Sequence, residues 1–240
     1  MSRIAILSVT TALTLAGCHA GGKTESRDAG PETSRTYQVG QFDRIAVAGP
    51  YDVAVTTGGD TQVAGSGGAN LLEETEVLVE DGELVIRPKK HKGMRFHWNN
   101  GKARFAVNVA ALRGASIAGS GDVSVDKVDG DFEGEVAGSG SIGVAAFNGG
   151  KTKVGIAGSG EFTGSGAVDA LDVSIAGSGD VNLAGLTAKT ADVSIAGSGN
   201  VRANATETAE VSIMGSGDVE LGGGAKCNVK KAGSGNVRCH

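Results

Sequence analysis

The second half of the chain alternates apolar and polar residues in short runs, and each run ends at a glycine-rich turn. Val173 and Ile175 flank Ser174, and after the next turn Val181 and Leu183 again flank a polar residue. A period of two is the pattern of a β-strand with one buried face, and glycine accepts the positive φ that a tight turn requires. No window carries an amphipathic helical stripe with caps at both ends. The pattern therefore predicts an all-β protein.

The turns recur at a nearly constant spacing. The first glycine of the motif Ala/Met-Gly-Ser-Gly stands at Gly119, Gly138, Gly158, Gly177, Gly197, Gly215 and Gly233, which are 18 to 20 residues apart. A unit of this length cannot bury its apolar face alone, whereas coils stacked ~4.8 Å apart can. We predict a repeat β-solenoid of about 19 residues per coil over residues 113–240. The inward columns are Val173, Val193 and Val211, and Ile156, Ile175, Ile195 and Ile213. An antiparallel sandwich or a propeller is the alternative, although propeller repeats are about 40 residues long.

Residues 37–112 carry a weaker version of the same pattern. Strand signals occur at 51–56, 75–79 and 83–87, with an Asp81-Gly82 turn between the last two. This N-terminal β region either forms the first coils of the solenoid or is a separate β lobe that caps it. A cap is expected, because an open solenoid end exposes a sheet edge.

Three segments resemble a known family. They are Phe42-Asp-Arg-Ile-Ala-Val-Ala-Gly49, Asp81-Gly-Glu-Leu-Val-Ile86 and the serial Ile-Ala-Gly-Ser-Gly-Asp-Val. Together they are similar to the bacterial GIN-domain family of unknown function, labelled as a putative autotransporter adhesin head, over about residues 40–240. The resemblance implies a right-handed, parallel β-helix-like solenoid in an envelope protein, without catalytic residues.

The N-terminus is a targeting signal. Arg3 precedes an apolar run that ends at Leu15, and Leu15-Ala-Gly-Cys18 follows. This order indicates a secretory signal peptide over residues 1–17, and the run is shorter than the ~20 residues of a spanning helix. The last four residues resemble a bacterial lipobox, which implies a lipoprotein held in the membrane by a lipid on Cys18. By the same resemblance, His19 favours the outer membrane. An ordinary signal peptide with a chance cysteine is the alternative.

Residues 18–36 are small and polar, so we expect them to form a flexible tether between the lipid and the head.

Charge and composition narrow the classes of function. The chain has 22 basic and 27 acidic residues, a net charge of -5, which argues against a general nucleic-acid-binding protein. The chain has few aromatic residues, namely one tryptophan, two tyrosines and six phenylalanines, and it has 41 glycines. The core should therefore consist of small aliphatic side chains.

The basic charge is concentrated in residues 87–104, which contain seven Lys or Arg and no acid. We predict a basic hairpin there as the candidate binding site for an anionic glycan or an envelope protein. Its candidate residues are Lys89, Lys90, Lys92, Arg95 and Trp98. A solvated hairpin with its one tryptophan packed beneath it is the alternative.

The residue after each Gly-Ser-Gly turn should form a ladder along the solenoid. It is Asp122, Ser141, Glu161, Asp180, Asn200, Asp218 or Asn236. Asp122, Asp180 and Asp218 are weak calcium candidates, because ladders of Gly-x-Gly-Asp resemble calcium-binding nonapeptide repeats. The period here is twice as long, and Asp, Asn and Ser also suit turns by bonding the local backbone. We predict turn capping, with no metal and no cofactor.

Cys227 and Cys239 remain once Cys18 is assigned to the lipid. An even pair in an oxidising compartment is a candidate disulfide, and here it would staple the last coil. Two reduced thiols are the alternative.

These observations favour a lipid-anchored envelope protein that binds or adheres to a glycan or protein surface. A periplasmic structural or assembly scaffold is the first alternative. A carbohydrate-active enzyme on a β-helix is the second, although no serine of the repeats stands beside a base. We therefore predict that the protein is not an enzyme.

Overall fold

The structure is a computed structural model that describes the backbone of residues 23–90, 94–99 and 102–240 and the side chains of residues 28–90 and 102–240. It is 71% strand and 2% helix, and it forms a β-solenoid of about seven turns with roughly 19 residues per turn. The predicted fold class is confirmed. No helix in the described ranges is long and apolar enough to cross a membrane. The predicted signal peptide and Cys18 lie outside the described residues.

The N-terminal elements precede the repeats. They are β1 (Lys23–Asp28), β2 (Glu32–Tyr37), β3 (Arg44–Ala48), β4 (Asp52–Thr57), β5 (Gln62–Gly68), α1 (Ala69–Glu73), β6 (Thr75–Glu80), β7 (Glu83–Pro88), β8 (Met94–Asn99) and β9 (Arg104–Val109).

The repeat elements follow. They are β10 (Gly114–Gly119), β11 (Asp122–Val125), β12 (Val128–Asp129), β13 (Phe132–Gly138), β14 (Ser141–Asn148), β15 (Lys151–Gly158), β16 (Glu161–Gly177), β17 (Asp180–Gly197), β18 (Asn200–Gly215), β19 (Val219–Gly222), β20 (Lys226–Gly233) and β21 (Val237–Cys239).

The repeats stack in register, as the alternation of apolar residues predicts. Val173 pairs with Val193 and then Val211, and Ile156 begins a parallel column of isoleucines in the same coils. Each of these side chains is at most 2% exposed. Both predicted columns are confirmed. Burial of their apolar surface is the main stabilising contribution, at roughly 25 cal/mol per Å².

Each coil contributes strands to two long stacks. We call the strands before the Gly-Ser-Gly turns sheet A and the strands after them sheet B. Sheet A contains β10, β13, β15, the second halves of β16 to β18, and β20. Sheet B contains β11, the first halves of β14 and β16 to β18, then β19 and β21. A shorter third side returns the chain to sheet A.

The N-terminal β region is continuous with the solenoid and also caps it. In sheet A, β3 lies between β7 and β10, and in sheet B, β4 lies between β9 and β11; all four pairings are parallel. Antiparallel strands then end both sheets. In sheet A, β6 pairs with β7. In sheet B, β5 pairs with β9, and β2 pairs with β5. Strands β3 and β4 come first in the chain but belong to the second coil from this end, and the later strands β7 and β9 form the end coil. Residues 37–112 thus supply coils of the solenoid and also the strands that end its two sheets.

Two N-terminal segments differ from the expectation. Within the predicted tether 18–36, Lys23–Asp28 and Glu32–Tyr37 are strands, and the latter pairs antiparallel with β5. Polar side chains are compatible with this edge strand, because five of its six residues are exposed. Within the predicted hairpin 87–104, β8 pairs in parallel with β1 and not with a strand inside that segment, as far as the structure describes it. Residues 91–93 and 100–101 lie outside the described ranges.

The C-terminal coil closes the other end. Val229 and Lys231 continue the inward valine and isoleucine columns, but no strand of the described residues stacks on them, and Val229 is 43% exposed. Lys231 replaces an isoleucine, and its Nζ donates a hydrogen bond to the Gly235 carbonyl at 2.7 Å. A Cys227–Cys239 disulfide joins sheet A to sheet B across this end. A charge in an inward position disfavours the pairing of another strand with an exposed sheet edge.

Candidate functional site

The outer face of sheet B positions two columns of polar side chains. Because Val181 and Leu183 are buried, the alternating residues Asp180 and Asn182 point outward. The same positions recur in every coil. The first column is Arg104, Asp52, Asp122, Ser141, Glu161, Asp180, Asn200, Asp218 and Asn236. The second contains Ser124, Thr163, Asn182, Arg202, Glu220 and Arg238, with Gly143 as a gap between Ser124 and Thr163.

The first column is a ladder of hydrogen bonds between coils. Asn200 donates from its backbone N and from Nδ2 to Oδ1 of Asp180, at 3.1 and 2.8 Å. Two coils on, Asn236 makes the same pair of bonds to Oδ1 of Asp218, at 2.8 and 3.0 Å. Between them the backbone N of Asp218 donates to Asn200 Oδ1 at 3.3 Å. The acids and amides thus hold neighbouring coils in register, whereas turn capping predicts bonds within each turn.

The two columns line two adjoining depressions that share Glu161, and together we call them the ladder groove. Its deeper part, about 460 Å³, is lined by residues from Glu161 to Arg238, and its shallower part, about 290 Å³, runs from Arg104 and Asp52 to Glu161. Glu161 lines both parts. Eight rungs from Asp52 to Asn236 make the groove roughly 34 Å long at ~4.8 Å per strand.

The ladder groove carries an excess of acid. Its deeper part holds the carboxylates of Glu161, Asp180, Asp218 and Glu220 against the guanidinium groups of Arg202 and Arg238. Arg202 Nε lies 3.4 Å from Glu220 Oε2 and is therefore paired. In the shallower part Arg104 Nε lies 3.9 Å from Asp52 Oδ2. The surface can therefore accept hydrogen bonds at many points, and it repels polyanions.

The three calcium candidates fall in this ladder but do not converge. Ser141 follows Asp122 in the stack and donates to its Oδ1 at 2.6 Å, and an asparagine follows each of the other two. The described residues contain no group of three or more His, Cys, Asp or Glu that could hold a metal ion.

The basic candidates are only partly described. Lys89 and Lys90 are exposed beyond the end of β7, and the backbone N of Lys89 donates to the Glu74 carbonyl at 2.8 Å. Arg95 and Trp98 belong to strand β8, and Lys92 lies outside the described residues. Strand β8 of the basic segment pairs with the N-terminal strand β1, whereas Arg104, the last residue of the same segment, lines the shallower part of the ladder groove.

Carboxylates with lowered pKa lie outside the ladder groove. A hydrogen bond from Lys127 lowers the pKa of Asp129, and one from Lys189 lowers the pKa of Asp169. Both are exposed ion pairs, with N–O distances of 2.8 and 2.6 Å. Burial raises the pKa of Tyr51, whose hydroxyl lies 3.2 Å from Thr75 Oγ1. None of these pairs places a base beside a nucleophile.

Sequence reasoning identified the first column of the groove but missed the second. Asn182, Arg202, Glu220 and Arg238 stand two residues after each ladder position. Their signal was therefore present in the repeat, as polar residues at the next outward position of each strand. The two columns flank a depression because of the cross-sectional shape of the coil. No single residue type in the sequence indicates that shape.

Residues 41–225 match the model of the family described as "Putative auto-transporter adhesin, head GIN domain". No functionally curated protein is similar enough to this chain to count as a match.

Solved structures share the fold. A putative adhesin from Bacteroides fragilis is 20% identical, covers 89% of this chain and 100% of its own, and has a TM-score of 0.76. A putative lipid binding protein from Parabacteroides distasonis is 23% identical, with 90% and 100% covered and a TM-score of 0.72. A putative adhesin from Parabacteroides merdae is 15% identical, with 90% and 99% covered and a TM-score of 0.64.

Proposed function

This chain belongs to the family described as "Putative auto-transporter adhesin, head GIN domain", and from that membership we propose that it is a cell-envelope protein that binds a glycan or protein surface without catalysing a reaction. The ladder groove is the observation that carries the proposal. A rigid groove of this length, faced by hydrogen-bonding side chains, suits an extended partner that is held at several points along its length.

We further propose that the head is anchored by a lipid on Cys18, in the outer membrane. Strand β1 begins at Lys23, so only residues 19–22 separate Cys18 from it. Five residue steps span at most ~18 Å, which keeps the N-terminal cap close to the membrane. A single acyl chain anchors only marginally, and a basic patch nearby adds to the attraction of an anionic surface. The position of β8 beside β1 supports this arrangement for the basic segment.

Protease shaving of intact cells tests the side on which the head acts. We expect a protease added outside to cleave the full-length protein, detected with an antibody against the solenoid, and we expect Cys18→Ala to move the protein out of the membrane fraction. Cells with a permeabilised outer membrane serve as the control for protease access. Protection until the outer membrane is opened would contradict a surface adhesin and would favour the periplasmic scaffold.

A further inference from the structure

We infer that the ladder groove binds an extended, hydroxyl-rich glycan that carries no acidic groups. This inference rests on the proposed function, because it names the ligand class of the same binding surface. It departs from the expectation that an anionic glycan binds the basic segment, since the groove carries an excess of acid in its deeper part.

The ladder groove offers carboxylate oxygens that are held in place as hydrogen-bond acceptors. In Asp180 and Asp218, Oδ1 receives both donors of the following asparagine, while Oδ2 takes part in no hydrogen bond among the described residues. The asparagine fixes each carboxylate, so little side-chain entropy is lost on binding. The two aspartates lie two coils apart, or ~9.6 Å, which is about the length of two linked sugar rings.

The second column of the groove offers hydrogen-bond donors opposite these acceptors. Asn182, Arg202 and Arg238 line the same depression in the second column. A sugar hydroxyl both donates and accepts a hydrogen bond, so a pair of neighbouring hydroxyls can bridge the two columns. Repetition of this arrangement along the coils would hold successive units of one chain.

Two other kinds of extended ligand, a peptide strand and a polyanion, fit the groove less well. A peptide that adds to a sheet needs a free edge or apolar pockets, but the valines at the groove are at most 2% exposed and its strands are already paired on both sides from β14 to β18. A polyanion would meet four carboxylates and two guanidinium groups in the deeper part. Hydroxyl groups without charge satisfy the acceptors and avoid this repulsion.

Affinity electrophoresis of the full-length protein in detergent tests the inference. The probes are soluble mixed-linkage β-glucan and α-mannan as neutral polymers, and alginate as the polyanion. The groove variant is D180N/D218N, in which the amide oxygen can still accept the bonds of the ladder. The matched control is D192N/E210Q, which neutralises two outward acids of sheet A in two adjacent coils of the same part of the solenoid.

We expect the wild type to bind at least one neutral polymer and to bind it more tightly than alginate. The groove variant should weaken that binding at least ~10-fold, because a hydrogen bond to a charged group is lost at each site, while the control binds as the wild type does. Circular dichroism should be unchanged in both variants.

Three results would overturn the inference: preferential binding of alginate that K89E/K90E abolishes, equal binding by the groove variant and the wild type, or no binding of any neutral polymer. If whole-cell adhesion persists in those cases, the proposed function stands and only the ligand class is wrong. If the protein also fails to adhere to cells, the proposed function itself fails.

Discussion

The turn glycines carry a steric requirement that no other residue meets. Gly197 has φ +140°, and a Cβ at this position would collide with the carbonyl oxygen of Gly177 in the preceding coil. The same contact recurs between Gly215 and Gly197 and between Gly233 and Gly215. The glycines therefore allow the coils to approach to sheet spacing at their corners, in addition to turning the chain.

Gly197→Ala should therefore lower the free energy of unfolding by more than about 2 kcal/mol, since strained backbone alone costs roughly 1–3 kcal/mol. Urea denaturation followed by circular dichroism measures the change. Gly155→Ala is the matched control, because its φ is ordinary and the nearest atom to an added Cβ is Glu135 Cγ at 3.8 Å. We expect the control to shift stability by less than about 1 kcal/mol. Equal effects of the two substitutions would show that the corner contact is unimportant.

At the scale of the element, the last coil is the weakest part of the solenoid. Among the strands that the structure describes, β18 alone stacks on β20, and seven of the eight residues of β20 are exposed. The disulfide joins β20 to β21 over a sequence separation of 12 residues. In the chain-entropy account, a cross-link over such a loop stabilises the closed coil by about 3 kcal/mol.

We expect C227S/C239S to loosen the last coil and leave the inner coils unchanged. Hydrogen exchange read by mass spectrometry should accelerate in β20 and β21, because local opening no longer works against the cross-link. Exchange in β16 and β17 should stay as in the wild type and serves as the internal control. Acceleration throughout the solenoid would mean that the disulfide supports the whole fold.

The repeats were predictable at the element scale because the positions of the apolar residues and of the turn glycine within each repeat define the register of its strands. The turn glycine recurs in all seven copies, and the inward valine and isoleucine recur in most of them, so several copies support one interpretation. The N-terminal region offers no such copies. Nothing in its sequence signals that β3 and β4 lie between later strands, or that β8 pairs with β1, because those pairings join segments far apart in the chain. Helix α1 was also missed, since five residues are too few to show a helical period.

For the whole molecule, charge is distributed unevenly along the solenoid. Residues 122–226 contain 15 acids and six bases, whereas 227–240 contain three bases and no acid. The acids of sheet B line the ladder groove, whereas basic residues are in excess in residues 227–240 and in residues 87–104. A neutral or cationic partner would therefore approach the side of the solenoid and an anionic surface its ends.

Because each coil contacts mainly its neighbours, the solenoid should tolerate removal of whole coils. Deleting residues 180–217 joins Gly179 to Asp218 and restores the sequence Gly-Ser-Gly-Asp-Val. We expect a folded protein that is shorter by two strand spacings, or ~9.6 Å, measured as the maximum dimension in small-angle X-ray scattering. The control is deletion of residues 180–207, which joins Gly179 to Thr208 and places a sheet A strand directly after a turn. That variant should not fold, because every inward column downstream loses its register. A well-folded product from the second deletion would contradict a solenoid whose coils are specified by register.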